Sequence, residues 1–391
     1  MTAYDVIVFG ATGFTGRLAA IRLASETGIT FAIAGRNKSK LDEVAKLCAV
    51  KPAIIVADAG NAESVRAMVS QGRVIANFAG PFALYGEAVI AACVELGRSY
   101  CDITGESPFI AEMIERYQAK ALETGACLIP MSGFDSVPSD MLAFLALTEG
   151  ERHGWRLTKL THYCQIGGGF NGGTLETALT LGEQKKTNIL QNLNSLIPDK
   201  DWVRAPRTVL APTYEPLLKR WSSLFFMHFV NASVVRRSIF LRDPENKNLG
   251  KIDYSERMLF PDGTAGKLQA FAMTSVLGLL GAMTGNALGR AFLRKIGPSA
   301  GEGPSEKSRL EGFYKGTLIG RDDEQARLMV KMKFKGDPGN EFTCMSAIAT
   351  AVLLAQGKAT MTGFTTPSTA LGTTLIQALE ARGVVFSTNY L

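Results

Sequence analysis

The chain has 391 residues, too many for one ordinary domain and enough for two. Hydrophobic residues make up 46% and charged residues 20%, which is typical of a globular protein with a sizeable core and excludes a disordered chain. The three histidines and six cysteines show neither metal-ligand spacing nor a CxxC pair, so no metal site is predicted. No signal peptide precedes the first predicted strand, and we therefore expect free thiols and a cytoplasmic location.

The net charge of +6 is unevenly distributed. Residues 151–300 carry 20 Lys and Arg against 11 Asp and Glu, whereas residues 1–150 carry 12 against 16. A basic middle section favours an acidic partner, such as a phosphopantetheine-bearing acyl carrier, coenzyme A or an anionic membrane surface. A solvated surface without a partner is the alternative. Nucleic acid is not predicted, because the basic residues do not interleave with aromatic side chains in a known module.

Short apolar runs alternate with helical patterns over the first 145 residues. The predicted strands are Val6–Phe9, Thr30–Ala34, Ala53–Val56, Val74–Phe78, Ser99–Asp102 and Cys127–Met131. The predicted helices between them are Thr15–Glu26, Lys40–Cys48, Ser64–Val69, Gly86–Leu96 and Pro108–Thr124. Apolar runs suit strands that are buried on both faces, and the repeated βα order predicts a doubly wound parallel sheet. Residues 1–145 are therefore predicted to form a Rossmann domain.

The pattern changes after about residue 150. The predicted strands here are longer and half-exposed, with charges alternating along them: Leu157–Gln165, Arg257–Leu259, Glu311–Ile319 and Ala326–Lys335. They indicate a second α/β domain, over residues 146–340, that is built on a mixed or antiparallel sheet. The last part, residues 341–391, is predicted to be helical over Glu341–Gln356 and Ser368–Arg382 and to pack back onto the first domain.

A glycine motif follows the first predicted strand and opens the first helix. It consists of Gly10, Ala11, Thr12, Gly13, Phe14, Thr15 and Gly16. Glycines are needed in such a turn because a Cβ atom would block a pyrophosphate, which binds to free backbone N–H groups at the positive end of the helix dipole. The position after a buried strand, with more βα repeats behind it, favours a dinucleotide site over a turn without a ligand.

The end of the second strand distinguishes NAD from NADP. An NAD site offers Asp or Glu there, but this chain has Arg36 and Asn37, and a guanidinium suits the 2′-phosphate of NADP. The end of the fourth strand is predicted to lie beside the nicotinamide ribose through Asn77, Ala79, Gly80 and Pro81. We therefore predict NADP(H) as the cofactor of a nicotinamide-dependent oxidoreductase. A surface arginine and a satisfied buried amide remain the alternatives for Arg36 and Asn77.

Four motifs occur in a fixed order along the chain: GATGFTG at 10–16, NFAGPFALYGEAVIAAC at 77–93, CDITGE at 101–106 and SGFDSVPSD at 132–140. In this order they resemble the saccharopine dehydrogenase-like oxidoreductases. The more similar branch is that of the trans-acting enoyl reductases, which reduce double bonds in acyl chains carried by a separate synthase. The resemblance implies a Rossmann domain, an α/β substrate domain, NADP-type cofactor use, and an acyl carrier or synthase as partner.

Three residues on loops after predicted strands are candidates for proton transfer. Tyr85 is a candidate proton donor, or a packing tyrosine with a solvated hydroxyl. Glu106 is a candidate base or contact of the nicotinamide carboxamide, or a helix cap. Asp135 is a candidate catalytic residue, or the cap of a helix that begins near Pro138. The Tyr-xxx-Lys pair of short-chain reductases is excluded, because no tyrosine has a lysine four residues later.

Three segments are candidates for substrate binding. The loop that contains Gly172, Gly173 and Thr174 offers free amides for a carboxylate, thioester or phosphate, unless it is a flexible hairpin. Trp221–Val235 has basic flanks and suits a helix at a membrane interface, with Phe225 and Phe226 as substrate contacts. Leu268–Gly289 lacks charges and is interpreted as a buried helix or the wall of an acyl tunnel. Ordinary core or a homodimer interface is the alternative for both apolar segments.

The sequence as a whole favours an NADP(H)-dependent reductase that acts on a double bond in a long-chain or carrier-bound acyl substrate. A saccharopine-type amino-acid dehydrogenase is one alternative, since the basic middle section offers charged groups to bind an amino acid. The other alternative is a nucleotide-binding scaffold without turnover at a membrane or lipid droplet. The expected location is cytoplasmic, with peripheral contact to a membrane or lipid droplet.

Overall fold

A computed structural model describes residues 2–167, 192–199, 202–245, 249–296 and 305–391. The strands are β1 (Tyr4–Phe9), β2 (Phe31–Gly35), β3 (Ala53–Val56), β4 (Gly72–Asn77), β5 (Ser99–Asp102), β6 (Cys127–Ile129), β7 (Lys159–Gly167), β8 (Thr213–Glu215), β9 (Arg220–Leu224), β10 (Asp253–Phe260), β11 (Phe313–Asp322), β12 (Gln325–Lys335), β13 (Gly363–Phe364) and β14 (Val385–Tyr390). The α-helices are α1 (Phe14–Leu23), α2 (Lys38–Leu47), α3 (Ala62–Val69), α4 (Phe82–Glu95), α5 (Ser107–Thr124), α6 (Val137–Arg152), α7 (His228–Arg242), α8 (Gly263–Gly285), α9 (Ala287–Ile296), α10 (Glu306–Glu311), α11 (Thr343–Ala355) and α12 (Pro367–Glu380).

The first sheet is parallel throughout, in the order β13-β6-β5-β4-β1-β2-β3. Its central strand, β1, is an apolar run in which Val6, Ile7 and Val8 are completely buried, as expected of a strand covered on both faces. The strand order reverses between β1 and β4, where doubly wound folds bind their ligands. The predicted Rossmann sheet is confirmed, and β13 adds a strand from the far end of the chain.

The last part of the chain supplies a face of this first sheet. All thirteen residues of α11 are buried, and the helix packs against β1, β4, β5 and α1. The carboxylate of Asp140 on α6 accepts hydrogen bonds from the Ser238 hydroxyl at 2.5 Å and from the Ser368 amide at 2.8 Å. It thereby joins α6, α7 and the start of α12. Asp140 lies in the GFDSVPSD motif, but no role was predicted for it from the sequence.

The second sheet has the order β8-β9-β10-β7-β11-β12-β14. Strands β10 and β7 are parallel, and the other neighbours are antiparallel, which confirms a mixed sheet. One face is apolar and packs against α6, and this contact brings the second sheet next to the carboxyl edge of the first. The outermost strand, β14, was not predicted from the sequence.

The two apolar segments differ from their predicted environments. Trp221–Val235 does not form one membrane-interface helix: it contains β9 and the first half of α7, and most of its side chains are buried in the protein core. Leu268–Gly289 is not a buried helix either. It lies in α8 and the start of α9. Of the residues of α8, only Gly266 and Ala270, one turn apart, are buried. The second segment, not the first, therefore presents an apolar surface.

Candidate active site

The glycine motif forms the turn between β1 and α1. Gly10 has a positive φ of 81°, and a Cβ atom there would lie only 2.6 Å from the amide nitrogen of Ala79. A Cβ atom at Gly16 would lie 2.2 Å from the carbonyl oxygen of Gly10. Any side chain at these two positions would therefore push the backbone apart. The close contact also brings the glycine turn against the end of β4, so the two predicted parts of the cofactor site adjoin each other.

The first turn of α1 fits a pyrophosphate. Its N-cap is Gly13, which offers no side chain to hydrogen-bond the first N–H groups of the helix. Those groups, together with the positive end of the helix dipole, form an anion site. Thr12 and Thr15 are partly exposed on the same turn, and the ring of Phe14 lies beside the Arg17 guanidinium at 5.9 Å. The residues present therefore fit the dinucleotide that the sequence predicts.

Arg36 and Asn37 follow β2 and have different surroundings. Arg36 is exposed, and its guanidinium has no hydrogen-bond or ion-pair partner in the described part of the chain, so it is available to a phosphate. Asn37 is the N-cap of α2, because its side-chain oxygen accepts from the amide of Lys40 at 3.0 Å. The side-chain oxygen of Asn37 thus has a structural role, and its contact with the cofactor stays a prediction.

Asn77, at the end of β4, stabilises the backbone turn that follows this strand. It is completely buried, its oxygen accepts from the amide of Ala79 at 3.0 Å, and its nitrogen donates to the Tyr100 hydroxyl at 3.2 Å. This arrangement matches the satisfied buried amide and not a direct cofactor contact. Gly80 is exposed and Pro81 partly so, and they continue the edge toward α4 through a cis peptide bond.

Asp102, at the end of β5, organises the neighbouring loops. It accepts hydrogen bonds from the Met131 amide at 2.8 Å, the Thr104 amide at 3.0 Å and the Tyr100 hydroxyl at 2.7 Å. Burial raises the pKa of Asp102 to about 6, although the three donors act in the opposite direction. Sequence reasoning missed this residue; a carboxylate at the last position of the short predicted strand Ser99–Asp102 was the available indication.

Glu106 caps α4 from the loop after β5. Its two carboxylate oxygens accept from the amide of Phe82 at 3.1 Å and from the amide of Ala83 at 2.8 Å, and the side chain is buried. A carboxylate at this position satisfies two backbone donors and interacts favourably with the helix dipole. Of the two predicted roles, the structure shows the helix cap, although the cap belongs to α4 and not to the helix that follows Glu106.

Asp135 follows β6 and differs from the other carboxylates. Within the described residues its carboxylate has no hydrogen-bond partner, and it does not cap α6, whose N-cap is Ser136. One oxygen lies 3.5 Å from the position that a Cβ atom on Gly105 would take. Asp135 is only partly exposed, and its desolvation raises its pKa to about 6. Asp135 thus lies beside Gly105, which is in the loop that also carries Glu106, and among the described residues its carboxylate has no donor.

The loop that carries Asp135 is fixed on both sides. The amide of Phe134 donates to the Thr343 hydroxyl at 3.1 Å, and the Ser346 hydroxyl donates to the carbonyl of Ser132 at 2.7 Å. The ring of Phe134 packs edge-on against Tyr314 of the second sheet, with centroids 5.3 Å apart. Asp135 is therefore held by a rigid loop between the two sheets, as a reacting group requires.

The other predicted residues lie in three different environments. Tyr85 is 40% exposed in the first turns of α4, and its hydroxyl has no partner among the described residues. Phe225 is buried and Phe226 partly buried, with ring centroids 4.6 Å apart, so Phe225 belongs to the core and is not an open substrate contact. Gly172, Gly173 and Thr174 lie outside the described residues.

The family relationship follows from comparison with known proteins. A family model described as the saccharopine dehydrogenase NADP binding domain matches residues 6–129. The trans-acting enoyl reductase of Mycobacterium leprae (strain TN) is 30% identical over 418 residues, which cover 99% of this chain and 98% of that protein. The chain belongs to the saccharopine dehydrogenase-like oxidoreductases, in the branch of the trans-acting enoyl reductases. The trans-acting enoyl reductase of Mycobacterium tuberculosis (strain H37Rv) is 28% identical, with the same coverage.

A solved structure shows the same fold. The apo histidine-tagged saccharopine dehydrogenase (L-Glu forming) from Saccharomyces cerevisiae aligns with a TM-score of 0.59 and 12% identity, over 99% of this chain and 100% of that one. The saccharopine dehydrogenase-like chain described here is an NADP-dependent oxidoreductase, and NADP(H) is its cofactor. The glycine turn, the N-terminus of α1 and Arg36 are the residues that fit this cofactor.

Proposed function

We propose that the protein reduces a carbon–carbon double bond in a long-chain acyl thioester, carried by coenzyme A or by the acyl carrier of a separate synthase, with Asp135 as the proton donor. The observation that carries the proposal is that the Asp135 carboxylate, on a fixed loop between the two sheets, has no hydrogen-bond partner among the described residues. The relatives named trans-acting enoyl reductase, which match over nearly their full length, support the reaction class.

The carboxylates at this edge have different roles: Asp102 and Glu106 stabilise the fold, and Asp135 is the candidate for proton transfer. When bound, NADPH supplies a hydride, so the protein must orient the acceptor and supply a proton. Asp102 and Glu106 each hold two or more donors and cannot release them without disturbing the fold. Asp135 holds no donor from the described part of the chain, and its raised pKa of about 6 keeps a fraction of it protonated near neutral pH. It is therefore the carboxyl that is able to exchange a proton with a substrate.

A saccharopine-type reaction would need cationic groups to bind the carboxylates of an amino-acid substrate. Three arginines of the basic middle section are buried and already bonded within the protein. Arg236 donates to the carbonyl of Gly250 at 3.1 Å, Arg257 donates to the carbonyl of Ala211 at 2.7 Å, and Arg237 donates to the carbonyl of Phe364 at 2.5 Å. None of the three is available to a substrate, which favours the acyl substrate over the amino acid.

The test measures NADPH oxidation by the full chain with three substrates: a short trans-2-enoyl thioester, a long one, and L-glutamate with 2-aminoadipate 6-semialdehyde. We expect oxidation with the enoyl thioesters, faster at low concentration for the long chain, and none with the amino acid. Oxidation with L-glutamate and the semialdehyde alone would overturn the proposal in favour of the saccharopine-type reaction. NADPH binding without oxidation of any of the three would overturn it in favour of a scaffold.

The cofactor half of the site is tested separately by fluorescence titration with NADPH and NADH. We expect Arg36→Ala to weaken NADPH binding by about tenfold to a hundredfold, since a charge-assisted contact is worth roughly 1.5–3 kcal/mol, and to leave NADH binding unchanged. Lys38→Ala is the matched control, because Lys38 lies two residues away and pairs with Asp42 at 3.0 Å. An equal loss of affinity for NADPH and NADH would show that Arg36 does not bind the 2′-phosphate.

A further inference from the structure

Helix α8 presents a continuous apolar surface to the outside of the protein. Among the described residues it is the helix that is long and apolar enough to cross a membrane by length and composition, and 6% of its most apolar window is buried. Leu268 is 66% exposed and Leu279 61%. Strands β9 and β10 contact its N-terminal part, where Gly266 and Ala270 are buried. At about 1.5 Å per residue, the 23 residues extend roughly 35 Å, well past that contact.

The distribution of these side chains argues for lipid over a second protein surface. A helix that packs on one partner has an apolar stripe and a polar face, whereas a helix that is apolar all round is buried in a large core or in a membrane. From Leu268 to Gly289 there is no charged residue on any side of the helix, and Phe271, Val276 and Leu280 are exposed in addition to the leucines above. Beyond the part that packs on β9 and β10, the described residues of the protein do not cover the helix, and a bilayer is the environment that matches its exposed apolar side chains.

Basic residues flank the apolar stretch at both ends. Lys267 precedes it, and its ammonium lies 5.4 Å from the ring centre of Trp221 on β9. Arg290, Arg294 and Lys295 follow it on α9. Lysine, arginine and tryptophan are the residues that locate at the level of lipid headgroups, and the positive charges complement anionic lipids. Charge and hydrophobicity thus place the same surface at the boundary between headgroups and acyl chains.

The sheet topology decides how this segment enters a membrane. The chain leaves the second sheet at the end of β10 and returns to it at β11, and both strands pair with β7. A single crossing would put its two ends on opposite sides of the bilayer, which one sheet cannot accommodate. Helix α9 packs against α8 and continues the apolar surface with Leu288 and Phe292, so the two helices form one unit that enters and returns on the same side.

We infer that α8 and α9, residues 263–296, insert into one leaflet of an anionic membrane and dock the enzyme there as a monotopic protein. The apolar faces lie among the acyl chains, and Lys267, Arg294 and Lys295, near the two ends of the unit, lie among the phosphates. The inference does not depend on the proposed reaction, because it concerns a surface remote from the glycine turn in sequence and is measured without turnover.

The test is flotation of the full-length protein with vesicles of phosphatidylcholine and phosphatidylglycerol in equal amounts. We expect the wild type to float with the vesicles and Leu279→Glu to reduce the floated fraction at least tenfold, because a carboxylate among acyl chains is strongly unfavourable. Leu122→Glu is the matched control, since Leu122 on α5 is 53% exposed but lies outside the proposed surface. It should float like the wild type, and all three proteins should bind NADPH equally, which shows that they are folded.

Two further measurements separate the bilayer from a second copy of the chain. The double variant Arg294→Glu, Lys295→Glu should lose most of its binding to vesicles that contain phosphatidylglycerol and retain what the wild type shows with phosphatidylcholine alone. Sedimentation without lipid should show no dimer that Leu279→Glu dissociates. A dimer that dissociates in this variant, together with no flotation of the wild type, would overturn the inference and assign the surface to self-association. Flotation of all variants alike would also overturn it.

Discussion

The loops after β5 and β6 lie at the same edge of the first sheet and both place carboxylates there. The two sets of carboxylates differ in their hydrogen bonding. At the first of these loops, Asp102 and Glu106 each accept hydrogen bonds from two or more donors among the described residues. In the second loop Asp135 accepts none from the described residues. Burial nevertheless raises the pKa of Asp102 and of Asp135 to the same value, about 6.

The comparison teaches that neither the residue type nor the pKa identifies a reacting carboxyl at this edge. The number of donors that the folded protein already directs at the carboxylate makes the distinction. A carboxylate that satisfies buried donors cannot be removed or protonated without a loss of stability, whereas one without donors can be changed at little cost to the fold. The following predictions are ordered from the largest expected effect to the smallest, and each can break this distinction.

Asp102→Ala should have the largest effect on stability. It leaves three buried donors without an acceptor, and because each costs about 1–3 kcal/mol, we expect the free energy of unfolding to fall by at least about 3 kcal/mol. Urea unfolding followed by circular dichroism measures it. Asp102→Asn retains an acceptor oxygen and should lose less. A change of only ~0.5 kcal/mol in the alanine variant, the size typical of an ordinary surface substitution, would contradict the structural role of Asp102.

Asp135→Asn should lower turnover without lowering stability. We expect kcat for NADPH oxidation with a trans-2-enoyl thioester to fall by about a hundredfold or more, the usual contribution of a general acid, with unchanged NADPH affinity. Tyr85→Phe is the control, because it removes the hydroxyl of the other exposed candidate and should leave kcat nearly unchanged. Loss of turnover in Tyr85→Phe with normal turnover in Asp135→Asn would reverse the assignment.

Glu106→Gln should have a moderate effect on stability. The amide retains an oxygen for one of the two backbone donors of α4 but loses the negative charge at the positive end of the helix dipole. We expect the free energy of unfolding to fall by about 1 kcal/mol, measured by urea unfolding. If turnover disappeared while stability stayed constant, Glu106 would belong to the chemistry together with Asp135.

The pH dependence of stability reports on the desolvation of the Asp135 carboxylate. The pKa of Asp135 is raised from 3.8 to about 6, so between these values the folded protein binds more protons than the unfolded chain, and stability falls as pH rises. Asp135→Asn removes this penalty. We expect the variant to be slightly more stable than the wild type above pH 6 and equal to it near pH 3.8, by urea unfolding at each pH. A wild type that is the more stable of the two above pH 6 would show that the Asp135 carboxylate has partners.

Much of the first sheet was predictable from the sequence, because strands buried on both faces appear as continuous apolar runs such as Val6–Phe9. The position of the cofactor turn was predictable for a similar reason, since Gly10 and Gly16 are required by backbone contact alone. β13 was not predicted, because a two-residue strand has no periodicity and depends on the edge that β6 offers.

The roles of the carboxylates and of the apolar segments depend on contacts between distant parts of the chain. Asp102 accepts a hydrogen bond from the amide of Met131, 29 residues later. Asp135 differs from it only because no donor among the described residues reaches its carboxylate. Trp221–Val235 and Leu268–Gly289 are both apolar with basic flanks, and composition does not say which one the protein core covers. The core covers the first segment and leaves the second exposed, which is the reverse of the burial predicted for them.

The participation of α11 and β13 in the first sheet has a consequence for biosynthesis. The nucleotide-binding region is translated before residues 343–364, which supply the helix that covers β1, β4 and β5 and the strand that extends the sheet beyond β6. Until those residues have been translated, the nascent chain carries a Rossmann sheet with one apolar face only partly covered. Chaperone binding during synthesis, and the insolubility of fragments that end after α6, are the expected signs of that order of assembly.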